Sequence, residues 1–443
     1  MNNSTPTILV IVGITGDLSK RKLMPAIGQI AKAGSLPADF KVVGITRRDV
    51  SVQEVLEGIG SDAQAFLADH LEMYQMDLAE QADYAALRSH LDKLSGQMGG
   101  GAQRLFYLSV PPQISRPIVE HLGKSGLAKD EGTKLLLEKP FGSDLYSAQE
   151  LVEETRQHFS EEQIYRIDHY LAKEMAQNLV VFRQGNSLFK RTWNKDFIER
   201  IEIVASENIG IEGRAAFYEQ TGAMRDLVQS HLLQLAALTL MTIPKAGSLQ
   251  DVPRHRLDAL RQLHLPDGGK ELASYAVRGQ YEGYRDEVSI PHSNVETYVD
   301  LQLESSDPAW AGVPIRLVTG KALKEKVTQV RITYKKDEEH EANELIIRFQ
   351  PNEGVEVCLW TKVPGYEWKV EQHALNLAFK DHFPQLPEAY EQVLVDAINS
   401  NHTLFTTGDE VLESWRIIQP VQQAWELAGD DLVIYKPGSN IGL

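Results

Sequence analysis

Residues 8-ILVIVGITGDLSKRK-22 decide the fold. The apolar run 8-ILVIV-12 is far too short for a membrane span or a signal core and reads as a buried strand. Gly13 and Gly16 follow at once, in the pattern G-x-x-G-x-x-S that ends at Ser19. Two glycines there permit a tight turn and a close backbone approach to a pyrophosphate, which would rest on the amides opening the next helix. The pattern is short of the full dinucleotide fingerprint, and a plain strand-to-helix turn competes with it. Its position directly after an N-terminal apolar strand favours the nucleotide reading. Gly13, Thr15, Gly16, Asp17 and Leu18 are the candidate cofactor-binding residues of this loop.

Downstream, 18-LSKRKLMPAIGQIAKAG-34 repeats Leu23, Ile27 and Ile30 at helical spacing, and apolar runs recur at 41-KVVGIT-46, 105-LFYLSV-110 and 135-LLLEK-139. Strands alternating with helices predict a parallel sheet built from strand-helix-strand units, a Rossmann-type domain over 1–167. The glycine-rich 95-SGQMGGGAQ-103 reads as a surface connection. The second strand ends in 44-GITRRD-49. NAD sites usually place a carboxylate there for the ribose 2′-hydroxyl, whereas arginine accommodates a 2′-phosphate. Arg47 and Arg48 therefore predict NADP, against the competing view of a solvated charge pair. Asp49 falls beyond the strand end; were it to reach the ribose, secondary use of NAD would follow.

After about residue 168 the texture changes. Alternating stretches 198-IERIEIVASE-207, 295-VETYVDLQLES-305, 326-KVTQVRITYK-335 and 344-ELIIRFQP-351 predict a large, mainly antiparallel sheet. Helical patterns interrupt it at 225–241 and close the chain at 386–400 and 409–428. The expected architecture is α/β plus α+β, a nucleotide-binding domain followed by an α+β domain over residues 168–443.

The chain has 443 residues, 42% hydrophobic and 24% charged, ordinary for a globular protein. Against 62 acidic residues stand 45 Lys and Arg, a net charge of −17 that disfavours nucleic acid and anionic membrane as partners. An anionic ligand needs a local basic pocket. Cys358, a single cysteine read as a core thiol, allows no internal disulfide or zinc-type cluster; no metal is expected. With no basic leader in MNNSTPTILVIVG, a cytoplasmic location is expected.

The densest cluster of chemistry is 166-RIDHYLAKE-174. Together with the phosphate loop, 138-EKPFG-142, 213-GRAAFYEQTGAMRDLVQSHLLQ-234, 310-WAGVPIRLVTGKAL-323, 348-RFQPNE-353 and 389-AYEQVLVDAINSNHTLF-405, it makes the chain resemble the glucose-6-phosphate dehydrogenase family over nearly its whole length. E-K-P alone also occurs in other sugar-oxidising dehydrogenases. The resemblance implies oxidation of glucose 6-phosphate to its lactone, with hydride passing to NADP, the first oxidative step of the pentose phosphate pathway. Such chemistry needs a base for the hydroxyl proton, and a histidine held by a carboxylate suits it near neutral pH.

By the same resemblance His231 is the base and Asp168 its orienting partner. His169, Tyr170 and Lys173 would take the substrate phosphate, whose charge and acceptor oxygens suit clustered donors. Lys139 would reach the reacting hydroxyl and the cofactor, with Pro140 at a bend. Glu207 and Asp226 would accept from sugar hydroxyls, and Lys321, Lys326 and Gln350 would complete the sugar and phosphate contacts. Two positions depart from the family pattern: Ser230 stands for Asn before the base, and Ala172 for Gly. The resemblance implies a homodimer or homotetramer and leaves open a second, structural NADP site. Two rivals are another sugar dehydrogenase on the same nucleotide domain and a catalytically silent NADP sensor; the first has no need of RIDHYLAKE, and the second predicts loss of the base.

Overall fold

The computed structural model describes residues 5–245, 247–336, 340–383, 385–428 and 431–442. It falls into two units, Met1–Ala172 with Pro387–Val411, and Lys173–Leu386 with Leu412–Leu443. The first holds strands β1 (Thr7–Val12), β2 (Phe40–Thr46), β3 (Leu71–Gln75), β4 (Gln103–Leu108), β5 (Thr133–Leu137) and β6 (Ile164–Ile167). They form one sheet in the order β6-β5-β4-β1-β2-β3, all parallel, as the apolar runs predict. Every residue of β1 is buried, which explains its unbroken apolar run: a central parallel strand is covered on both faces. Between β1 and its neighbours β2 and β4 the strand order reverses, so the ligand crevice of such a sheet opens at their carboxyl ends.

The helix Met24–Lys32 crosses back over the sheet and meets the helix Ser61–His70 at Gly28. A Cβ on Gly28 would lie 2.6 Å from both Cα and Cβ of Ala63, so only hydrogen fits there. Residues 387–411 return to this unit. Their helix Ala389–Ile398 buries Val393, Leu394, Ala397 and Ile398 in the core that contains Ile11, Tyr107 and Ile167. The carbonyls of Ala397 and Ile398 accept from Lys134 Nζ at 2.5 and 3.2 Å, so a cation closes the negative end of the helix. Burial pushes the Lys134 ammonium down to about 8. A short strand, Phe405–Thr406, then pairs antiparallel with β6.

In the second unit lie β7 (Ile198–Ser206), β8 (Leu263–His264), β9 (Ala276–Tyr281), β10 (Tyr298–Ser305), β11 (Ile315–Gly320), β12 (Val327–Tyr334), β13 (Glu344–Gln350), β14 (Gly354–Lys362) and β15 (Val370–Ala378). With Phe405–Thr406 counted as β16, the last strand is β17 (Leu432–Tyr435). The large sheet runs β15-β14-β13-β12-β7-β11-β10-β9-β17, and β8 pairs with β10. Only the pairs β7 with β11 and β9 with β17 are parallel among the described residues. The mainly antiparallel second domain is thus as expected. Cys358 sits on β14 only partly buried, not in the core, because β14 lies next to the edge strand.

Because Gly28 has no room for a side chain, Gly28→Val is expected to destabilise the first unit by about 1–3 kcal/mol through overpacking. Denaturant unfolding followed by circular dichroism measures this, and adding Ala63→Gly should recover part of the loss.

Candidate active site

The crevice at the carboxyl ends of β1, β2 and β4 is a cleft of about 490 Å³. Its wall includes Gly13, Thr15, Gly16, Arg47, Arg48 and Ser109. Gly13 has φ +86°, and a Cβ there would lie 2.5 Å from the Ser109 carbonyl oxygen. The turn is held by the Gly16 amide donating to Gly13 O at 2.9 Å. Ser19, fully buried, donates its hydroxyl toward Gly13 O at 3.2 Å and Ser109 Oγ at 3.0 Å. Arg47 and Arg48 are both exposed on the rim just past the end of β2. The Arg48 amide donates to Thr46 Oγ1 at 3.1 Å, and Gln75 donates to Arg47 O at 3.2 Å. Asp17 turns to solvent and pairs with Arg21 at 2.7 Å, while Leu18 packs against the core. These two shape the loop from behind; the other loop candidates share the cleft.

The same unit carries Lys139, Asp168, His169 and Tyr170 at the ends of β5 and β6. The Lys139–Pro140 bond is cis. Asp168 is 3% exposed and takes the Tyr170 amide on Oδ1 at 2.9 Å, which folds the segment back on itself. His169 lies against the Tyr170 ring at 5.1 Å between centroids. Glu138, which the sequence did not single out, faces the charges of both Lys139 and Asp168. Burial pushes its carboxyl up, opposed by hydrogen bonds from Tyr107 and Tyr390.

In the second unit the chain turns at Gly222 and enters a π-helical stretch, Met224–Leu232, that continues as the helix Leu233–Leu240. Glu296 Oε1 accepts from the Met224 amide at 2.9 Å, placing a carboxylate on the first turn. Asp226 and His231 both ride on this stretch, and His231 is 1% exposed. Ser230 turns its hydroxyl to the Asp226 carbonyl at 3.3 Å, a local bond in place of the reach an Asn would have.

Two further clusters lie in the same unit. Lys321, buried at the end of β11, forms an ion pair with Glu207 and lies 5.4 Å from the centroid of the Tyr218 ring. Tyr218 in turn faces Asp226, so one aromatic residue connects three of the expected sugar contacts. Lys173 donates to Gln350 Oε1 at 2.6 Å. Burial pushes its ammonium down to about 8, partly offset by Glu353 and reinforced by the nearby Lys326, which is exposed. Tyr218 and Glu353 were not foreseen as site residues, although both lie inside the quoted blocks GRAAFYEQTGAMRD and RFQPNE.

A doubly wound sheet with a glycine turn in its crevice, joined to a unit that gathers lysines, carboxylates and a buried histidine, defines an oxidoreductase that uses a nicotinamide dinucleotide. Comparison with known proteins makes this particular. Residues 10–178 match the glucose-6-phosphate dehydrogenase NAD-binding domain model, and residues 180–442 match the C-terminal domain model. Glucose-6-phosphate 1-dehydrogenase of Chlamydia muridarum is 36% identical over 95% of this chain and 90% of its own length. That of Bacillus subtilis is 35% identical over 96% and 92%. A solved glucose-6-phosphate dehydrogenase in complex with its substrate glucose 6-phosphate superposes with a TM-score of 0.91 at 29% identity, covering 99% of this chain and 96% of that one. The chain belongs to the glucose-6-phosphate dehydrogenase family. No helix among the described residues is long and apolar enough to cross a membrane.

The Gly13 geometry yields a direct test. Gly13→Ala should weaken dinucleotide binding roughly tenfold or more, because a left-handed backbone strains any L side chain and the Cβ meets backbone. Titration calorimetry with the oxidised dinucleotide measures it; unaltered affinity would remove Gly13 from the site.

Proposed function

We propose that this chain oxidises glucose 6-phosphate to 6-phosphogluconolactone, transferring hydride from the anomeric carbon to NADP. The observation that supports the reading is family membership over both units, combined with the lysine clusters around Lys173 and Lys321 in the second unit, which suit a phosphorylated sugar. His231 takes the anomeric hydroxyl proton as the hydride leaves for the nicotinamide, and Asp168 holds the ring and stabilises the imidazolium. Lys139 meets the reacting hydroxyl and the cofactor. Lys173, Lys326, His169 and Tyr170 receive the phosphate, with Gln350 beside them. Glu207, Asp226 and Lys321 receive the sugar hydroxyls. The dinucleotide supplies the hydride acceptor; the chain's own part is to bind, orient and move the proton. Location in the cytoplasm and assembly as a homodimer or homotetramer belong to this proposal.

NADP over NAD follows from Arg47 and Arg48 on the cleft rim, whose guanidinium groups can pair with a 2′-phosphate. Replacing both with alanine should raise KM for NADP roughly tenfold more than KM for NAD, since NAD lacks the group they meet. Equal changes for the two cofactors would reject the assignment.

The base is tested by single-turnover hydride transfer, read as reduced-nicotinamide absorbance. His231→Asn should bind glucose 6-phosphate close to normally yet transfer hydride about 10²–10⁴-fold more slowly. Transfer at the wild-type rate would exclude His231 and return the search to Lys139 and His169.

A further inference from the structure

We propose that Thr328 is a specificity-determining positioning residue: its hydroxyl anchors the Gln350 amide so that Gln350 holds the Lys173 ammonium ready for the substrate phosphate. The inference rests on the phosphate-site reading above and adds a residue that makes no contact with substrate itself.

A β-bulge creates the arrangement. Along β12 and β13 the ladder runs in register from Thr333 opposite Glu344 to Gln329 opposite Arg348. One step further the register slips, and Thr328 stands opposite Gln350 with Phe349 left over between the two pairs. Regular pairing would set Thr328 against Phe349, because opposed residues advance one for one along an antiparallel ladder. Bulges of this kind re-aim side chains, and here the extra residue is itself fully buried, so the slip is pinned by the core.

The slip lets Gln350 Nε2 donate to Thr328 Oγ1 at 2.9 Å while Gln350 Oε1 accepts from Lys173 Nζ at 2.6 Å. An ammonium is a donor only, so it settles which end of the amide faces it. The other end then needs an acceptor, and Thr328, 0% exposed, supplies one without water. An amide fastened at both ends confines the flexible lysine stem, and it does so with a neutral oxygen. That contact occupies a donor without cancelling the ammonium's positive charge, which an anion can still meet. With valine at position 328, the amide loses its anchor inside a buried site and the lysine loses its fixed direction.

The experiment compares kcat/KM for glucose 6-phosphate with kcat/KM for free glucose, whose ratio reports what the phosphate contributes. In Thr328→Val the ratio should fall roughly three- to tenfold, the size of one hydrogen bond, with the loss in KM for glucose 6-phosphate. Thr328→Ser should restore it to within about twofold, and Thr328→Ala should repeat the loss if the valine variant does not fold. Lys173→Ala is measured in parallel and should collapse the ratio further. A collapse in Lys173→Ala with a wild-type ratio in Thr328→Val or Thr328→Ala overturns the inference and leaves the phosphate site standing. Equal losses on both sugars in the Thr328 variants overturn it too, because they mark a general structural defect. A wild-type ratio in Lys173→Ala overturns the phosphate-site reading and this inference with it.

Discussion

The turn at Gly13 is the constraint on which the nucleotide-binding half depends. Its backbone must adopt φ +86° with the Ser109 carbonyl pressed against the position a side chain would take. That closeness brings the loop after β1 against the end of β4, and it lets Ser19 bond both sides of the turn. Gly13, Thr15 and Gly16 thereby line the crevice, where the loop can meet an anion. A turn made by any other residue would lift the loop off β4, and the cleft would lose its floor before any side chain was chosen.

The charge distribution follows a second rule, visible in how two buried lysines and the half-buried Lys173 are matched. Lys321 has a carboxylate, Glu207, and is neutralised in place. Lys134 meets helix carbonyls, and Lys173 meets an amide oxygen. Burial pushes each of these two down to about 8. For Lys134 the gain is the closing of a helix end. Lys173 gives one donor to a neutral amide oxygen, which leaves its charge uncancelled by that contact. In a chain of net charge −17, such local arrangements are what make an anionic substrate welcome.

The central strands β1, β2, β4 and β5 of the parallel sheet were legible because burial on both faces leaves an unbroken apolar run, as in 8-ILVIV-12. The edge of a sheet leaves no such trace. β3 reads LEMYQ, with a single buried residue, and most of β15, VEQHALNLA, is exposed, so neither shows alternation to detect. β9, β11, β14 and β17 also went unread as strands. In the site, residues inside quoted motifs could be named from the sequence because the motif carried them. Thr328 was carried by no motif, and Glu138 was carried by 138-EKPFG-142 without a role. The first acquires its role from a slipped register, and the second from tyrosines on β4 and on the returning helix. Pairings between residues so distant in the chain are properties of the folded ladder and core, to which local periodicity is blind.

The return of residues 387–411 sets an order of assembly during synthesis. A ribosome delivers β1 to β6 first, yet the strand Phe405–Thr406 that covers the free side of β6 comes only after β7 to β15 have been made. Throughout that interval β6 presents an open hydrogen-bonding edge, and the apolar surface awaiting Val393, Leu394 and Ile398 faces water. Nascent chains in this state are candidates for wrong pairing with one another and for capture by chaperones. An excised fragment ending at Ala172 would stay in that condition permanently, so the dinucleotide-binding half is first in the sequence but finished late.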